Sequence, residues 1–156
     1  GNKYLAIVTL LLDILKGYFP VIITFQNYPE LIYLSSLLAF LGHLFPIWLK
    51  FKGGKGVATY LGVLFALSLQ LSFLFIFTWL IISLIFRYSS LSSMFASFTV
   101  FVVTLIKDTA LNSINTSINI DEDLILTLFT FFILIIFTHR KNISNLKNKS
   151  EKKIKI

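Results

Sequence analysis

Gly42-His-Leu-Phe-Pro-Ile-Trp-Leu-Lys-Phe-Lys-Gly-Gly-Lys-Gly-Val-Ala-Thr59 leaves one apolar segment, turns through a bend rich in glycine and lysine, and enters another apolar segment. Three of the seven glycines and two lysines fall in Lys52-Gly53-Gly54-Lys55-Gly56. Lacking a Cβ, consecutive glycines can adopt positive φ and let successive N–H groups converge on one point, a nest suited to an anion such as phosphate. The helix expected to start near Val57 aims the positive end of its dipole at the same spot. Two ammonium groups complete the arrangement, so the bend predicts a phosphate site at a membrane face. The same residues also fit a bare cytoplasmic turn placed by its positive charge. A Walker A loop is excluded, because Lys55 is followed by Gly56 and not by Ser or Thr, and the upstream glycine spacing is missing. Gly42, His43, Pro46 and Thr59 are polar or conformationally special where lipid-facing leucine would cost less, and they favour the phosphate reading.

The rest of the chain is too apolar for an ordinary soluble domain. With 156 residues, 56% hydrophobic content, 13% charge and a mean hydropathy of +0.85, it reads as all-α, a polytopic transmembrane helix bundle. The net charge of +7 does not lie along a nucleic-acid-binding face, so it is assigned to membrane orientation, and no nucleic-acid partner is expected. The absence of cysteine removes disulfides, thiolate nucleophiles and cysteine-ligated metals. With His43 and His139 the only imidazoles, neither a metal nor a cofactor is expected. Tyr4–Phe25 is too long for a signal-peptide core, lacks an Ala-x-Ala site and carries Asp13 and Lys16 at its middle. The sequence is therefore read as beginning inside a longer protein.

At about 20 residues per crossing, six spans are expected, at about 4–25, 31–49, 57–69, 71–86, 90–106 and 124–138, followed by a basic cytoplasmic tail, 139–156. They form one transmembrane domain over 1–156. In the first span, Asp13 and Lys16 are three apart and share a helical face; the pair either fixes packing or serves chemistry. Gly17 and Pro20 are expected to kink that helix's exit. Pro46 falls within the last turns of the second span, with His43 as a partner for the backbone it frees. Val57–Phe86 is read as a hairpin turning near Gln70, between Ser68 and Ser72. That choice places the Lys50/Lys52/Lys55 cluster, Arg87 and the tail on one side and most acidic residues on the other. Ser89 or Ser90 would cap the fifth span, and 107–123 would be a polar loop. If the last helix continues past the membrane, His139 and Asn142 share a face. The Asn-x-Ser/Thr triplets at Asn115, Asn142 and Asn148 follow from an Asn- and Ser-rich composition.

These residues resemble the bacterial acyl-phosphate:glycerol-3-phosphate acyltransferases, integral membrane enzymes. Leu12-Asp13-x-x-Lys16-Gly17 is similar to the family's Asp-x-x-Lys-Gly helix. Gly42-His43-x-Phe45-Pro46 with Phe51-Lys52-Gly53-Gly54-Lys55-Gly56-Val57-Ala58-Thr59 resembles its central motif residue by residue. Arg87-Tyr88-x-Ser90-Leu91 and His139-Arg140-x-Asn142-Ile143, with Glu151 beyond, resemble the other signatures. Asn145 and Lys149 stand where the family carries Arg and Gly. The family's seventh span and first motif, rich in Gly, Ser and Asn and bearing an arginine, would precede Gly1.

The resemblance implies acyl transfer from acyl phosphate to glycerol 3-phosphate, giving lysophosphatidic acid and phosphate for phospholipid synthesis. It implies Lys52, Gly53, Gly54, Lys55, Gly56, Thr59 and Ser90 as phosphate-binding residues. His139, Asn142 and Lys55 would be catalytic, with Asp13, Lys16, His43 and Glu151 in support. His139 is the candidate general base, because an imidazole with an unperturbed pKa near 6.5 is largely neutral at pH 7. The expected protein is a monomer in the bacterial cytoplasmic membrane, its active face and C-terminus cytoplasmic and the bilayer its surroundings. The alternative is a small transporter or channel subunit for an anionic solute, served by intramembrane Asp13 and Lys16. Against it, the distinctive residues cluster at one face and no inverted repeat is visible.

Overall fold

Asn2 accepts a hydrogen bond from the Tyr4 amide at 3.0 Å and so caps α1, a continuous helix of 25 residues, Lys3–Asn27. The computed structural model describes residues 2–51, 53–113 and 121–154, and every regular element among them is helical. After α1 come α2 (Ile32–Leu44), α3 (Val57–Leu67), α4 (Leu69–Phe86), α5 (Ser89–Ser113), α6 (Glu122–Thr138) and α7 (Arg140–Lys147). Four stretches, Lys3–Asn27, Pro29–Leu49, Leu69–Phe86 and Ser89–Ala110, are long and apolar enough to cross a membrane. A fifth is counted if α6 and α7, bent by 58° at their junction, are taken together. The expected third crossing is shorter than anticipated. At 11 residues, α3 rises about 16 Å, against a hydrocarbon core of about 30 Å.

The chain divides into two compact units, Gly1–Ser72 and Phe73–Ile156. In the first, α1 packs on both α2 and α3. Lipid tails are as apolar as leucine, so helices in a bilayer associate through close packing, which small residues permit. A Cβ on Gly17 would strike the Thr59 carbonyl oxygen, and one on Gly62 would strike the Ile14 carbonyl oxygen. The two glycines therefore let α1 and α3 cross backbone to backbone. Gly17 and Pro20, expected to kink the exit of this helix, both lie inside it, and it runs on to Asn27. Around Pro20, the Thr24 hydroxyl donates to the Pro20 carbonyl at 2.8 Å, and Ser35 of α2 reaches the same oxygen at 3.2 Å. Val21, Phe40, Tyr60, Val63 and Leu64 are fully buried, and the Phe40 and Tyr60 rings meet edge to face at 6.5 Å.

The apolar run Val57–Phe86 breaks at Ser68, not at Gln70. Ser68 is extended (φ −164°, ψ 121°), ends α3, and accepts the Ser72 amide at 3.1 Å as α4 begins. A serine can leave helical φ/ψ and still satisfy neighbouring groups, whereas Gln70 sits comfortably in the first turn of the new helix.

In the second unit, α5 packs on α6 through two tilted ring pairs, Phe98–Phe132 and Phe101–Phe129, each with centroids 5.3 Å apart. Trp79 of α4 donates its indole N–H to Ser93 at 3.1 Å. Ser92, Ser93, Ser97 and Thr104 on α5 each donate to a carbonyl one turn back, which satisfies their hydroxyls where no water is available. α5 also continues to Ser113, so residues 107–113, expected as loop, are helical. The remainder of that expected loop, 114–120, lies outside the described residues. Asp121 caps α6 by accepting the Asp123 amide at 3.0 Å, with Glu122 and Asp123 at the positive end of the helix dipole.

Candidate functional site

The glycine loop is built on the end of α2. That helix stops at Leu44, before Pro46, which opens a short 3₁₀ turn over Ile47–Leu49. The Leu49 and Phe51 amides both close onto the Pro46 carbonyl, at 3.1 and 3.0 Å, and Lys50 and Phe51 take left-handed φ of 52° and 60°. Pro46 was expected inside the helix, with His43 satisfying backbone freed by it. The helix ends before Pro46, and the His43 ring faces Asp13 of α1 instead. Gly42 has open space where a Cβ would stand, so nothing in the structure requires glycine there. Lys52 lies outside the described residues.

A different physical reason emerges for the remaining glycines than a run of positive φ. Among the described glycines only Gly56, at φ 81°, is left-handed, and Phe40 and Leu44 side chains fill the space beside it. A Cβ on Gly53 would meet the carbonyl oxygens of His43 and Leu44, and one on Gly54 would meet His43 Nε2. The loop lies flat on the end of α2, and close approach is what demands glycine at 53 and 54. Gly56 delivers the chain into α3, whose first turn, half-buried to buried, points its dipole toward the loop. Lys55 is exposed on that loop. Thr59, in the first turn of α3, is fully buried, and its Oγ1 has no hydrogen-bond partner among the described residues.

Asp13 and Lys16 pair as their spacing demands, with Lys16 Nζ 3.1 Å from Asp13 Oδ1. The same carboxylate oxygen lies 3.5 Å from His43 Nδ1. Asp13, Lys16, His43 and Gly54 thus gather in the first unit.

In the second unit, the end of α6 bends at His139. The ring is buried (1% exposed), and Nδ1 lies 2.8 Å from the Ile135 carbonyl. A carbonyl only accepts, so Nδ1 carries a proton. Asn142, on α7, donates to Glu151 Oε1 at 2.6 Å, and Ser90 donates to the same oxygen at 2.8 Å. Ser90 was expected to cap α5, but its hydroxyl is engaged by Glu151, whose carboxylate stands at that helix's positive end. The tail is closed by the Ile154 amide, which donates to the Arg87 carbonyl at 2.7 Å. His139 and Asn142 do not share a straight helix, since the 58° bend intervenes. Among the described residues no three of His, Asp or Glu gather as a metal would require. Phe40 and Leu44, which back Gly56, read in sequence as ordinary apolar positions and carry no signal of this role.

Glu151→Ala leaves two donors without their acceptor, a loss of about 1–3 kcal/mol for groups away from water. The tail should then detach, with trypsin cleaving at Lys152 and Lys153 faster than in the parent, whereas Glu151→Gln keeps an acceptor and slows that release. Identical digestion of parent and Glu151→Ala would show that the carboxylate does not hold the tail.

The model of the family described as glycerol-3-phosphate acyltransferase matches residues 1–149. A glycerol-3-phosphate acyltransferase of Pelagibacter ubique (strain HTCC1062) is 49% identical over 156 residues, covering 100% of this chain and 75% of its relative. One from Wolbachia pipientis subsp. Culex pipiens (strain wPip) is 45% identical, covering 98% of this chain and 75% of that protein. Among solved structures, the crystal structure of PlsY (YgiH), an integral membrane glycerol 3-phosphate acyltransferase, is similar in its glycerol 3-phosphate form. Its TM-score is 0.85 at 31% identity, covering 98% of this chain and 72% of that one. The lysophosphatidic acid form of PlsY gives a TM-score of 0.84, covering 97% of this chain and 73% of that one.

Proposed function

This chain belongs to the glycerol-3-phosphate acyltransferase family, and we propose that its acyl donor is an acyl phosphate. It is a multi-pass membrane enzyme that acylates glycerol 3-phosphate. In the proposed reaction a glycerol 3-phosphate hydroxyl oxygen attacks the acyl carbonyl carbon. The new ester C–O bond forms, the acyl–O bond to phosphate breaks, and lysophosphatidic acid and inorganic phosphate leave. Both reactants carry phosphoryl groups, and phosphate is already a good leaving group. Holding the two anions together and offsetting their charge therefore supplies most of the rate gain.

The observation that carries this reading is the glycine loop laid on α2, opening into the first turn of α3 beside the unpartnered Thr59 hydroxyl. Lys52, Gly53, Gly54, Lys55, Gly56 and Thr59 would bind a substrate phosphoryl group, and Ser90, on α5 of the second unit, is proposed separately as a phosphate-binding residue. His139 would take the hydroxyl proton at Nε2, because Nδ1 is committed to the Ile135 carbonyl. Asn142 would orient the reacting groups, held in turn by Glu151. The family match across 1–149 supports reading both units as one acyltransferase domain. The break at Ser68 supports six crossings, α1 to α6, with α3 a short one. The cluster of lysines at 50, 52 and 55, together with Arg87 and the basic tail, supports a cytoplasmic active face and C-terminus in a bacterial inner membrane.

The test is to supply detergent-solubilised protein with labelled glycerol 3-phosphate and either acyl phosphate or acyl-CoA. Acyl phosphate should give labelled lysophosphatidic acid with one inorganic phosphate released per product. Product from acyl-CoA alone would overturn the donor assignment. His139→Gln should lower kcat by about 10²–10⁴-fold, the range for a general base, with KM little changed. Parent-like kcat would remove His139 from proton transfer.

A further inference from the structure

His43 is the next-to-last residue of α2, and its two ring nitrogens face different partners. Nδ1 lies 3.5 Å from Asp13 Oδ1 on α1, an oxygen that also holds Lys16 Nζ at 3.1 Å. An ionised carboxylate only accepts, so the Nδ1 edge carries the proton. The opposite edge, Nε2, is seated against Gly54: a Cβ there would land on Nε2, with Cε1 at 3.2 Å. A continuous line of contact thus runs from a charged pair on α1, through an imidazole on α2, to the middle of the glycine loop. The His43 side chain is 13% exposed and Asp13 19% exposed, so the pair is largely shielded, as a fixed orienting device requires. The loop's other supports against α2 are the backbone at Gly53 and apolar side chains at Gly56. His43 is the one polar side chain among these contacts.

We infer that Asp13 and His43 are positioning residues for the glycine loop: the carboxylate fixes the imidazole's tautomer and plane, and the ring holds the loop in the shape that grips a substrate phosphoryl group. This rests on the reading that the loop binds phosphate. Carboxylate–imidazole pairs of this kind orient a histidine toward whatever its second nitrogen faces. Here that object is a backbone segment. Loss of the device loosens the loop both before and during reaction, so it weakens binding uniformly and appears in KM and not in kcat.

Two substitutions separate the ends of the ring. Asn at 43 keeps a polar atom near Nδ1, facing Asp13, but is too short to reach Gly54. Gln at 43 places its amide where Nε2 was. On the full chain in detergent, we expect His43→Asn to raise the KM for glycerol 3-phosphate or acyl phosphate by about tenfold with kcat at saturation retained. Amide hydrogen exchange at Gly53–Gly56, measured without substrate, should quicken by a similar factor. His43→Gln should bring both quantities back to within about threefold of the parent. Asp13→Asn should fall between them, because its amide still faces the Nδ1 edge but no longer draws Lys16. Parent-like KM and exchange in His43→Asn overturn the inference. So does equal impairment of the Asn and Gln variants, which would mean the ring serves only as packing. If the parent forms no lysophosphatidic acid at all, the reaction assignment fails, and the exchange comparison still decides the positioning role.

Discussion

Lys55→Ala is expected to lower kcat/KM for acyl transfer to glycerol 3-phosphate by about 10²–10³-fold, the scale seen when one preorganised group that meets developing or transferred charge is removed. The loop at 53–56 has little else with which to meet a dianion. Its backbone lies on α2, Gly56 is left-handed, and the lysine is the exposed cation within the described part of the bend. Lys55→Arg should recover only part of the loss, because the guanidinium is a planar fork and not a compact ammonium, and the glycines beside it leave a shallow seat. The measurement is initial rate against both substrates in the purified, folded variant. A parent-like kcat/KM from Lys55→Ala would sink the assignment of this loop as the phosphate grip.

Gly62→Ala should cost about 3 kcal/mol of stability, at the upper end of overpacking penalties. The added methyl would land on the Ile14 carbonyl oxygen, and backbone cannot rotate aside as a flexible side chain does. α1 and α3 would have to separate, which also tears Thr59 from Gly17 and disturbs the helix that receives the loop. Gly42→Ala is the matched comparison, since a Cβ there meets nothing within 4 Å. It should stay within about 0.5 kcal/mol of the parent, the usual range for a substitution away from any contact. Unfolding midpoints in a titration of denaturing detergent would read both. Equal midpoints for Gly62→Ala and the parent would refute the backbone crossing of α1 on α3.

Much of the candidate site could be read from residues near one another in the chain. Asp13 and Lys16 were legible as a pair because an i, i+3 spacing on a helix brings side chains together whatever the rest of the fold does. The glycine and lysine bend was legible because a cluster of such residues between apolar spans is rare in lipid-facing sequence. The reason for its glycines was not legible. Positive φ was the expected cause, yet Gly53 and Gly54 are demanded by carbonyls and an imidazole of α2, a constraint that exists only when the loop folds back. The role of His43 was missed for a related reason. Proximity to Pro46 suggested a local partner, while the actual one, Asp13, is supplied by another helix. Gly17 suggested a kink and is also a packing surface, because its partner, the Thr59 backbone, belongs to another helix that sequence alone does not align with it.

By itself the sequence determined that this protein is a helical membrane protein with a glycine- and lysine-rich bend and a basic tail. Those properties follow from hydropathy, helical spacing and charge sign, all of which act over a few residues or against the bilayer as solvent. Only the tertiary structure decided that the loop rests on the end of α2, that Asp13 faces His43, and that Glu151 joins Ser90 to Asn142. Each of these depends on the angle and depth at which separate helices meet. In a bilayer that is set by which small residues permit contact and which polar groups must be satisfied, and neither is written in the spacing along one helix.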